Sequence, residues 1–252
     1  MATKIIISGY DGRMGRMLRE TIQGDPEWEI VAGFEQCEVD GTGAPVFTAA
    51  NLLNAPKADA VIDFSHFSFT RTLLGYCRET KTPVVISTTA LGEAELSAVR
   101  EAAREIAVFR SANMSLGVNL MAKMARMAVP ALEKDFDIEI VEKHHNKKAD
   151  APSGTAILLA DAVNEAASDK KNYVYGRNGK DALRAGGDLG IHAVRAGTIP
   201  GQHTLLFAGP DEVIEITHTV YSRRVFALGA LAAARFLPGK APGLYSMDDL
   251  IG

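Results

Sequence analysis

Short apolar runs alternate with helical patterns over the first 115 residues. The run at 4–9 centres on three isoleucines, which is typical of a strand buried on both faces of a parallel sheet. A helical pattern through Met17, Leu18 and Ile22 follows, and the next predicted strand is 29–34. The alternation then predicts strands at 60–65, 83–89 and 107–111, and helices at 69–79 and 93–105.

The pattern changes after residue 116. A long helix is predicted at 117–132, and we interpret its apolar stripe as core and domain-bridging packing. The stripe comprises Leu120, Met121, Met124, Met127 and Ala128. Longer strands are predicted at 136–142, 191–196, 203–208 and 212–221, and the last alternates in a way that indicates one solvated face. The segment 164–190 is predicted to be irregular, and a final helix at 225–237 precedes a tail at 243–247.

These elements predict an α/β protein of two domains. Residues 1–115 and 225–252 are expected to form a Rossmann-like dinucleotide-binding domain. Residues 116–224 are expected to form an α+β domain with a mixed sheet.

Three glycines lie between the first predicted strand and the first predicted helix. Gly9, Gly12 and Gly15 would allow a tight turn and the close approach of a pyrophosphate to the helix N-terminus. Glu35 follows 20 residues after Gly15, where its carboxylate could accept hydrogen bonds from ribose hydroxyls. The spacing is GxxGxxG rather than GxGxxG, so a purely structural turn is the alternative.

Hydroxyl-bearing residues follow several other predicted strands. Ser65, the segment 87–89 and the segment 111–114 all stand at such ends. Ligands of open parallel sheets bind beyond the carboxyl ends of the strands, so we expect these groups to line one crevice. Each of them alone is more often a helix cap than a ligand contact.

The loop at 142–156 concentrates proton donors between a predicted strand and a predicted helix. Its adjacent histidines, His144 and His145, are side chains that change charge near neutral pH. The run at 152–155 combines a rigid proline, a permissive glycine and two hydroxyls at a helix start, which suits an anion. A solvated basic loop is the alternative.

Composition narrows the choice of partners. The formal net charge of −4 argues against nucleic-acid binding through overall charge. Cys37 and Cys77 lack the spacing of metal ligands, so we expect free thiols in a reducing cytoplasm and no metal site. No apolar run reaches about 18 residues and the N-terminus has no signal pattern, so no membrane partner is expected.

With these motifs, the chain resembles the dihydrodipicolinate reductases of bacterial lysine and diaminopimelate biosynthesis over nearly its whole length. The matching segments are 12–15, 142–156, 195–197, 201–204 and 215–218. The resemblance implies NADH- or NADPH-dependent reduction of a dihydrodipicolinate-type cyclic dicarboxylate, formed from 4-hydroxy-tetrahydrodipicolinate, to tetrahydrodipicolinate. It also implies a homotetramer in which the second domain binds substrate and mediates assembly.

The resemblance further implies roles for particular residues. His144 and Lys148 match the catalytic positions, and His145, Gly154 and Thr155 match substrate contacts. The matched cofactor contacts are Gly9, Tyr10, Asp11, Gly12, Arg13, Met14, Glu35, Ser87, Thr88, Thr89, Ser111, Ala112, Asn113 and Met114. Ser87 and Ala90 replace the glycines that usually flank the two threonines, which reduces backbone freedom there. Asn146 and Lys147 replace residues that are often Arg and His.

The acid at the end of the second strand predicts a preference for NADH over NADPH. A 2′-phosphate beside Glu35 would meet a like charge. Gln36 stands where NADPH-using relatives commonly carry an arginine, and Glu38 adds negative charge. Arg13 is the nearest compensating cation that the sequence suggests.

Two other functions remain open from the sequence. One is another dehydrogenase on the same scaffold, related to the homoserine or aspartate enzymes. The other is a noncatalytic nucleotide-sensing protein. The run of proton donors in 144–155 favours the reductase over both.

Overall fold

The computed structural model describes residues 1–37 and 43–252, so Glu38 lies outside the described residues. The chain divides into two compact units, Met1–Leu116 with Arg223–Gly252, and Gly117–Ser222. The strands are β1 Thr3–Ser8, β2 Trp28–Phe34, β3 Val46–Phe47, β4 Ala60–Asp63, β5 Val84–Ile86, β6 Ala107–Arg110, β7 Asp137–His144, β8 Asn172–Val174, β9 Asp188–Arg195, β10 Gln202–Ala208, β11 Val213–Thr219 and β12 Gly243–Tyr245. The α-helices are α1 Arg13–Ile22, α2 Thr70–Thr80, α3 Glu93–Ala102, α4 Leu116–Leu132, α5 Gly154–Ala166, α6 Arg224–Phe236 and α7 Met247–Ile251.

The first unit contains a seven-stranded sheet in the order β12-β6-β5-β4-β1-β2-β3, with every pair parallel. The stretch β3-β2-β1-β4-β5-β6 has the strand order of a Rossmann fold, as predicted. Ile5 and Ile7 pack with α1 and α6, whereas Ile6 packs with α2 and α3. All three isoleucines are fully buried, so β1 is covered on both faces.

The second unit contains a five-stranded mixed sheet in the order β11-β10-β7-β9-β8. β10 is antiparallel to β7 and β11, whereas β9 is parallel to β7 and β8. Residues of α4 and α5 share one buried cluster with Ile138, Ile140 and Phe207 of the sheet. The mixed sheet confirms the predicted fold class of this part of the chain.

Three sequence-based expectations were wrong. Of the methionine-rich stripe, Met121 is buried in the core and Ala128 packs against it, whereas Leu120, Met124 and Met127 are exposed, because α4 packs chiefly through Val118, Met121, Ala122, Ala125 and Val129. The segment predicted to be irregular contains the last turn of α5, the strand β8 and the start of β9. The tail adds β12 to the edge of the parallel sheet and then forms α7.

No helix in the two described ranges combines the length and the apolar character needed to cross a bilayer. Both cysteines are free thiols, Cys37 exposed and Cys77 buried.

Candidate active site

The path from β1 into α1 requires glycine at two positions, one in the turn and one in the first turn of the helix. Gly9 has a φ of +76°, and a Cβ there would lie 2.8 Å from the carbonyl oxygen of Phe64. A Cβ on Gly15 would lie 2.2 Å from the carbonyl oxygen of Gly9. Gly12 gives α1 no side-chain cap, and the first turn carries no acidic residue. The helix N-terminus therefore offers its amide groups to an anion, and the turn fits a dinucleotide pyrophosphate.

Glu35, directly after β2, is joined to this turn by a hydrogen bond. The backbone N–H of Asp11 donates to Oε1 of Glu35 at 2.6 Å. The Asp11 carboxylate in turn pairs with Arg16 at 2.9 Å and with Arg19 at 3.7 Å, and the hydrogen bond from Arg16 lowers the pKa of Asp11. The Arg19 guanidinium stacks on the ring of Tyr10 at 4.4 Å from its centroid. Sequence reasoning had named only Arg13, yet α1 carries two further cations beside Asp11.

A cleft of about 420 Å³ opens at the carboxyl ends of the central parallel strands. Its lining includes Arg13, Met14, Ser65, Ser87, Thr88, Thr89, Ala112, Asn113 and Met114. Ser111 is not part of the lining; its hydroxyl donates to the carbonyl oxygen of Asn113 at 2.7 Å and shapes the turn. The crevice expected from the hydroxyl-bearing strand ends is thus present in this unit.

Ala90, after the two threonines of the cleft, has a φ of +59°. This is the left-handed conformation that glycine adopts without penalty and that alanine adopts at a cost. The local backbone therefore keeps a glycine-like path although a Cβ is present.

In the second unit, Glu142 is the centre of a buried polar network. It is fully buried, and its carboxylate accepts two hydrogen bonds from Arg195, both at 2.7 Å. Nδ1 of His144 lies 2.5 Å from Oε2 of Glu142, and the N–H of Ser153 donates to Oε1 at 3.0 Å. Burial alone would raise the pKa of Glu142, but the hydrogen bonds from Arg195 and His144 outweigh burial and lower it.

The position of Glu142 on β7 explains its burial and also why the sequence motifs alone did not assign it a role. Side chains alternate along a strand, and Ile138 and Ile140 precede Glu142 on the face that packs on the helices. A carboxylate in that register must be paired, because an unpaired buried charge is costly. An acid at a core position of an alternating strand was therefore the signal available in the sequence.

The loop after β7 continues from this network. Nζ of Lys148 donates to Oδ1 of Asp150 at 2.8 Å, and its backbone N–H donates to the carbonyl oxygen of His145 at 3.2 Å. Arg195 also donates to the carbonyl oxygen of Asp150, at 2.6 Å. The Ala151–Pro152 peptide that follows is cis. One cation thereby holds both ends of the segment that carries His144 and Lys148.

The N-terminus of α5 closes the loop. Ser153 caps the helix by accepting the N–H of Ala156 at 3.1 Å, and its hydroxyl lies 2.8 Å from Nε2 of His203. Burial and repulsion by His144 lower the pKa of His203 to about 4, so this imidazole is neutral at physiological pH. Gly154 and Thr155 form the first turn of α5. Sequence reasoning had assigned no role to His203 and had placed Ser153 only in the run suited to an anion.

Two family models together match nearly the whole chain. The model described as "Dihydrodipicolinate reductase, N-terminus" matches residues 3–114, and that described as "Dihydrodipicolinate reductase, C-terminus" matches residues 117–251. The chain belongs to the dihydrodipicolinate reductase family. It is accordingly a reductase of lysine and diaminopimelate biosynthesis that uses a nicotinamide dinucleotide. The resemblance deduced from its motifs is confirmed.

Individual relatives of this reductase agree with that assignment. The 4-hydroxy-tetrahydrodipicolinate reductase of Caldanaerobacter subterraneus subsp. tengcongensis is 49% identical over 251 residues, covering 100% of this chain and 99% of the relative. That of Clostridium tetani is 42% identical, covering 100% and 98%. A dipicolinate-bound dihydrodipicolinate reductase from Paenisporosarcina sp. TG-14 superposes with a TM-score of 0.82 at 24% identity, covering 98% of each chain.

Proposed function

We propose that this reductase converts the cyclic dihydrodipicolinate-type dicarboxylate to tetrahydrodipicolinate by means of His144 and Lys148, with NADH as the preferred cofactor. The observation that carries the proposal is the network around Glu142. It ties a histidine, the lysine loop and a helix N-terminus into one assembly. The related structure with bound dipicolinate supports a cyclic dicarboxylate as the class of substrate.

His144 acts as the acid–base group and is oriented by Glu142. The Glu142 carboxylate holds Nδ1, which leaves Nε2 as the ring atom free to exchange a proton with substrate. A Cβ on Gly201 would lie 3.3 Å from that Nε2, so glycine there keeps the ring edge open. Arg195 keeps Glu142 ionised, and an ionised carboxylate stabilises a protonated imidazole as charge develops.

Lys148 supplies a second proton donor and positive potential. Hydride delivered from NADH or NADPH to a ring carbon leaves negative charge on the substrate, which must be protonated. Asp150 holds the Lys148 ammonium at 2.8 Å, which limits its rotamers before substrate binds. The lysine therefore stabilises the charge only as it forms, which lowers the barrier rather than merely tightening binding.

The substrate carboxylate is bound by the start of α5. The amides of Gly154 and Thr155 belong to the positive end of that helix, and His145 lies on the loop beside it. The hydroxyl oxygen of Ser153 accepts the N–H of Ala156, and this cap fixes the position of the helix start. Uniform binding of substrate and transition state is the expected contribution of these residues.

The cofactor is bound by the first unit. The residues Gly9, Tyr10, Asp11, Gly12, Arg13 and Met14 contact the pyrophosphate and Glu35 the adenosine ribose. The cleft with Ser87–Thr89 and Ala112–Met114 binds the nicotinamide end, and Ser111 supports it through its bond to Asn113. NADH is preferred because Glu35 repels a 2′-phosphate. Gln36 does not compensate, since its amide donates to Ser68 at 3.1 Å, and the Arg16 guanidinium is engaged with Asp11. NADPH remains usable through its many other contacts.

The units divide the work between cofactor and substrate. Segments 1–115 and 225–252 form the dinucleotide-binding domain, and segment 116–224 forms the substrate-binding and oligomerisation domain. The sheet face that carries Val141, Val194 and Val213 points away from α4 and α5, and Val213 is 57% exposed. We propose that this face assembles a homotetramer in the cytoplasm; a monomer by sedimentation at micromolar concentration would contradict it.

The test combines turnover with cofactor binding. His144→Ala and Lys148→Ala should each lower kcat by about 10²–10⁴-fold while leaving the Kd for NADH unchanged. His145→Ala and Thr155→Ala should mainly raise the substrate KM. Lys147→Ala, on the same loop, is the matched control. Wild-type turnover in both the His144 and Lys148 variants, with freshly generated substrate and NADH absorbance as the readout, would refute the assignment.

A further inference from the structure

Asp63 is a fully buried carboxyl group at the carboxyl end of β4, directly behind the cleft of the first unit. It does not line the cleft, but its hydrogen-bond partners do. Thr88 Oγ1 lies 2.7 Å from its Oδ2, and the backbone N–H of Ser65 donates to its Oδ1 at 3.1 Å. Within residues 1–37 and 43–252 no lysine, arginine or histidine forms an ion pair with it.

The Thr88 hydroxyl has one proton and two neighbours that could take it. Besides Oδ2 of Asp63, the carbonyl oxygen of Ser65 lies 3.1 Å from Thr88 Oγ1. When Asp63 is ionised, its carboxylate accepts the hydrogen bond from the Thr88 hydroxyl, and the Ser65 carbonyl receives no hydrogen bond from Thr88. A protonated Asp63 donates to Thr88, Thr88 donates to the carbonyl of Ser65, and the Ser65 N–H returns to Asp63. The neutral acid therefore closes a ring in which each group is used once.

The surroundings favour the neutral form. Burial is the main influence and raises the pKa of Asp63, although hydrogen bonds from Ser65 and Thr88 and the nearby hydroxyl of Ser8 act in the opposite direction. Ser8 stands beside Asp63 on β1, and its buried hydroxyl makes no hydrogen bond of good geometry. Cys77 of α2 is the other titratable group nearby; burial first, and then Asp63, raises its pKa, so the thiol stays neutral.

We propose that Asp63 is a neutral positioning residue: as a protonated acid it locks Thr88 and Ser65 into the wall of the cleft and keeps negative charge away from the nicotinamide end of the cofactor. The location of the cofactor rests on the proposed function, whereas the protonation state does not. An ionised carboxylate there would favour the cationic NAD⁺ over NADH, so a neutral acid leaves the two cofactor forms unbiased.

Infrared spectroscopy of the intact protein, labelled with ¹³C in the aspartate carboxyls, tests the protonation state. We expect the carbonyl stretch of a protonated acid near neutral pH in the wild type, lost in Asp63→Asn and retained in Asp59→Asn, whose carboxylate is exposed. Because the wild-type spectrum is informative by itself, a poorly folding variant does not remove the test. Absence of an acid band in the wild type would overturn the proposal, whether or not the protein has reductase activity.

Equilibrium binding tests the positioning role. Thr88→Val should raise the Kd for NADH by about 5- to 150-fold, since Asp63 then no longer holds the wall of the cleft in position for the cofactor. Thr80→Val is the matched control, because its hydroxyl bonds within α2 and to Thr82. Asp63→Asn keeps a donor and an acceptor, so its Kd should stay within about threefold of wild type, with the same ratio for NAD⁺ and NADH. An unchanged Kd in Thr88→Val, or a selective loss of NAD⁺ binding in Asp63→Asn, would contradict the proposal.

Discussion

Replacing Arg195 by methionine should be among the most damaging single changes outside the apolar cores. The side chain makes two hydrogen bonds to the fully buried Glu142 and two to the carbonyl oxygens of Val194 and Asp150. Methionine retains much of the apolar stem but leaves a buried carboxylate with only His144 and one amide. Breaking a buried ion pair from one side costs about 3–5 kcal/mol. For a chain of this size that corresponds to a fall in Tm of about 6–20 °C.

The pH dependence of that loss follows from the sign of the pKa shift. In the wild type Glu142 has a lowered pKa, so its contribution is complete above the ordinary carboxyl pKa of about 4.3 and fades below it. Without Arg195, burial raises the pKa of Glu142 in the folded state above the ordinary carboxyl value. The variant then loses stability as the pH rises above that ordinary value. The deficit of Arg195→Met should therefore be largest near neutral pH and shrink towards pH ~4.

A double-mutant cycle measured by thermal and chemical denaturation at fixed protein concentration separates the pair from its surroundings. Glu142→Gln combined with Arg195→Met should be more stable than the sum of the single changes predicts, by about 1–3 kcal/mol. Arg100→Met is the control, since its pair with Glu93 is exposed and worth about 0.2–1 kcal/mol. Additive losses, or a deficit that does not vary with pH, would refute the account of Glu142 as a charge held by Arg195.

Three further outcomes are expected. The wild type should favour NADH over NADPH by about tenfold in kcat/KM, or roughly 1.4 kcal/mol. Gln36→Arg should improve kcat/KM for NADPH more than for NADH. Equal use of both cofactors by the wild type would mean that Arg13, Arg16 or another cation pairs with the 2′-phosphate. Burial opposes ionisation of Glu139, but hydrogen bonds, first that from Arg177, lower its pKa to about 2. Ionised Glu139 should therefore stabilise the folded state by up to about 3 kcal/mol above pH ~4.5, and this stabilisation should disappear towards pH 2. In acid unfolding, Glu139→Gln should lack this pH-dependent stabilisation and Glu215→Gln should keep it. Ala90→Gly should raise stability by about 0.5–1 kcal/mol in thermal unfolding, because the φ of +59° suits glycine; a lower Tm would show that the Cβ is stabilising.

The local pattern of apolar and polar residues was sufficient to predict the elements in which the buried side chains follow that pattern. The buried strand β1 and the alternating strand β11 were predicted from side-chain pattern, since each sheet face selects one class of residue. The stripe on α4 was not, because a helical repeat of apolar residues does not say which of its faces meets the sheet. The edge strand β12 has three residues, too few for any period to register.

The residues of the candidate site also divide into those that a local sequence pattern indicates and those that it does not. His144 and Lys148 stand in a contiguous motif, so the sequence alone singled out their loop, and the resemblance to the family implied their roles. Partners contributed by distant strands were not singled out in this way: Arg195 lies 53 positions after Glu142, and Ser153 lies 50 before His203. Asp63 and Thr88 are 25 positions apart and meet only because β4 and β5 are adjacent and parallel. Such pairings depend on strand order, which a single sequence encodes only indirectly.

The first unit is built from two segments that are far apart in the chain, and this affects how it folds during synthesis on the ribosome. Unit Gly117–Ser222 is one continuous segment, whereas Met1–Leu116 must wait for Arg223–Gly252. Until then Ile5 and Ile7 lack the apolar face of α6 that covers them in the finished protein. The segment made second can therefore complete its core first, and during that interval the N-terminal half exposes the kind of apolar surface that chaperones bind.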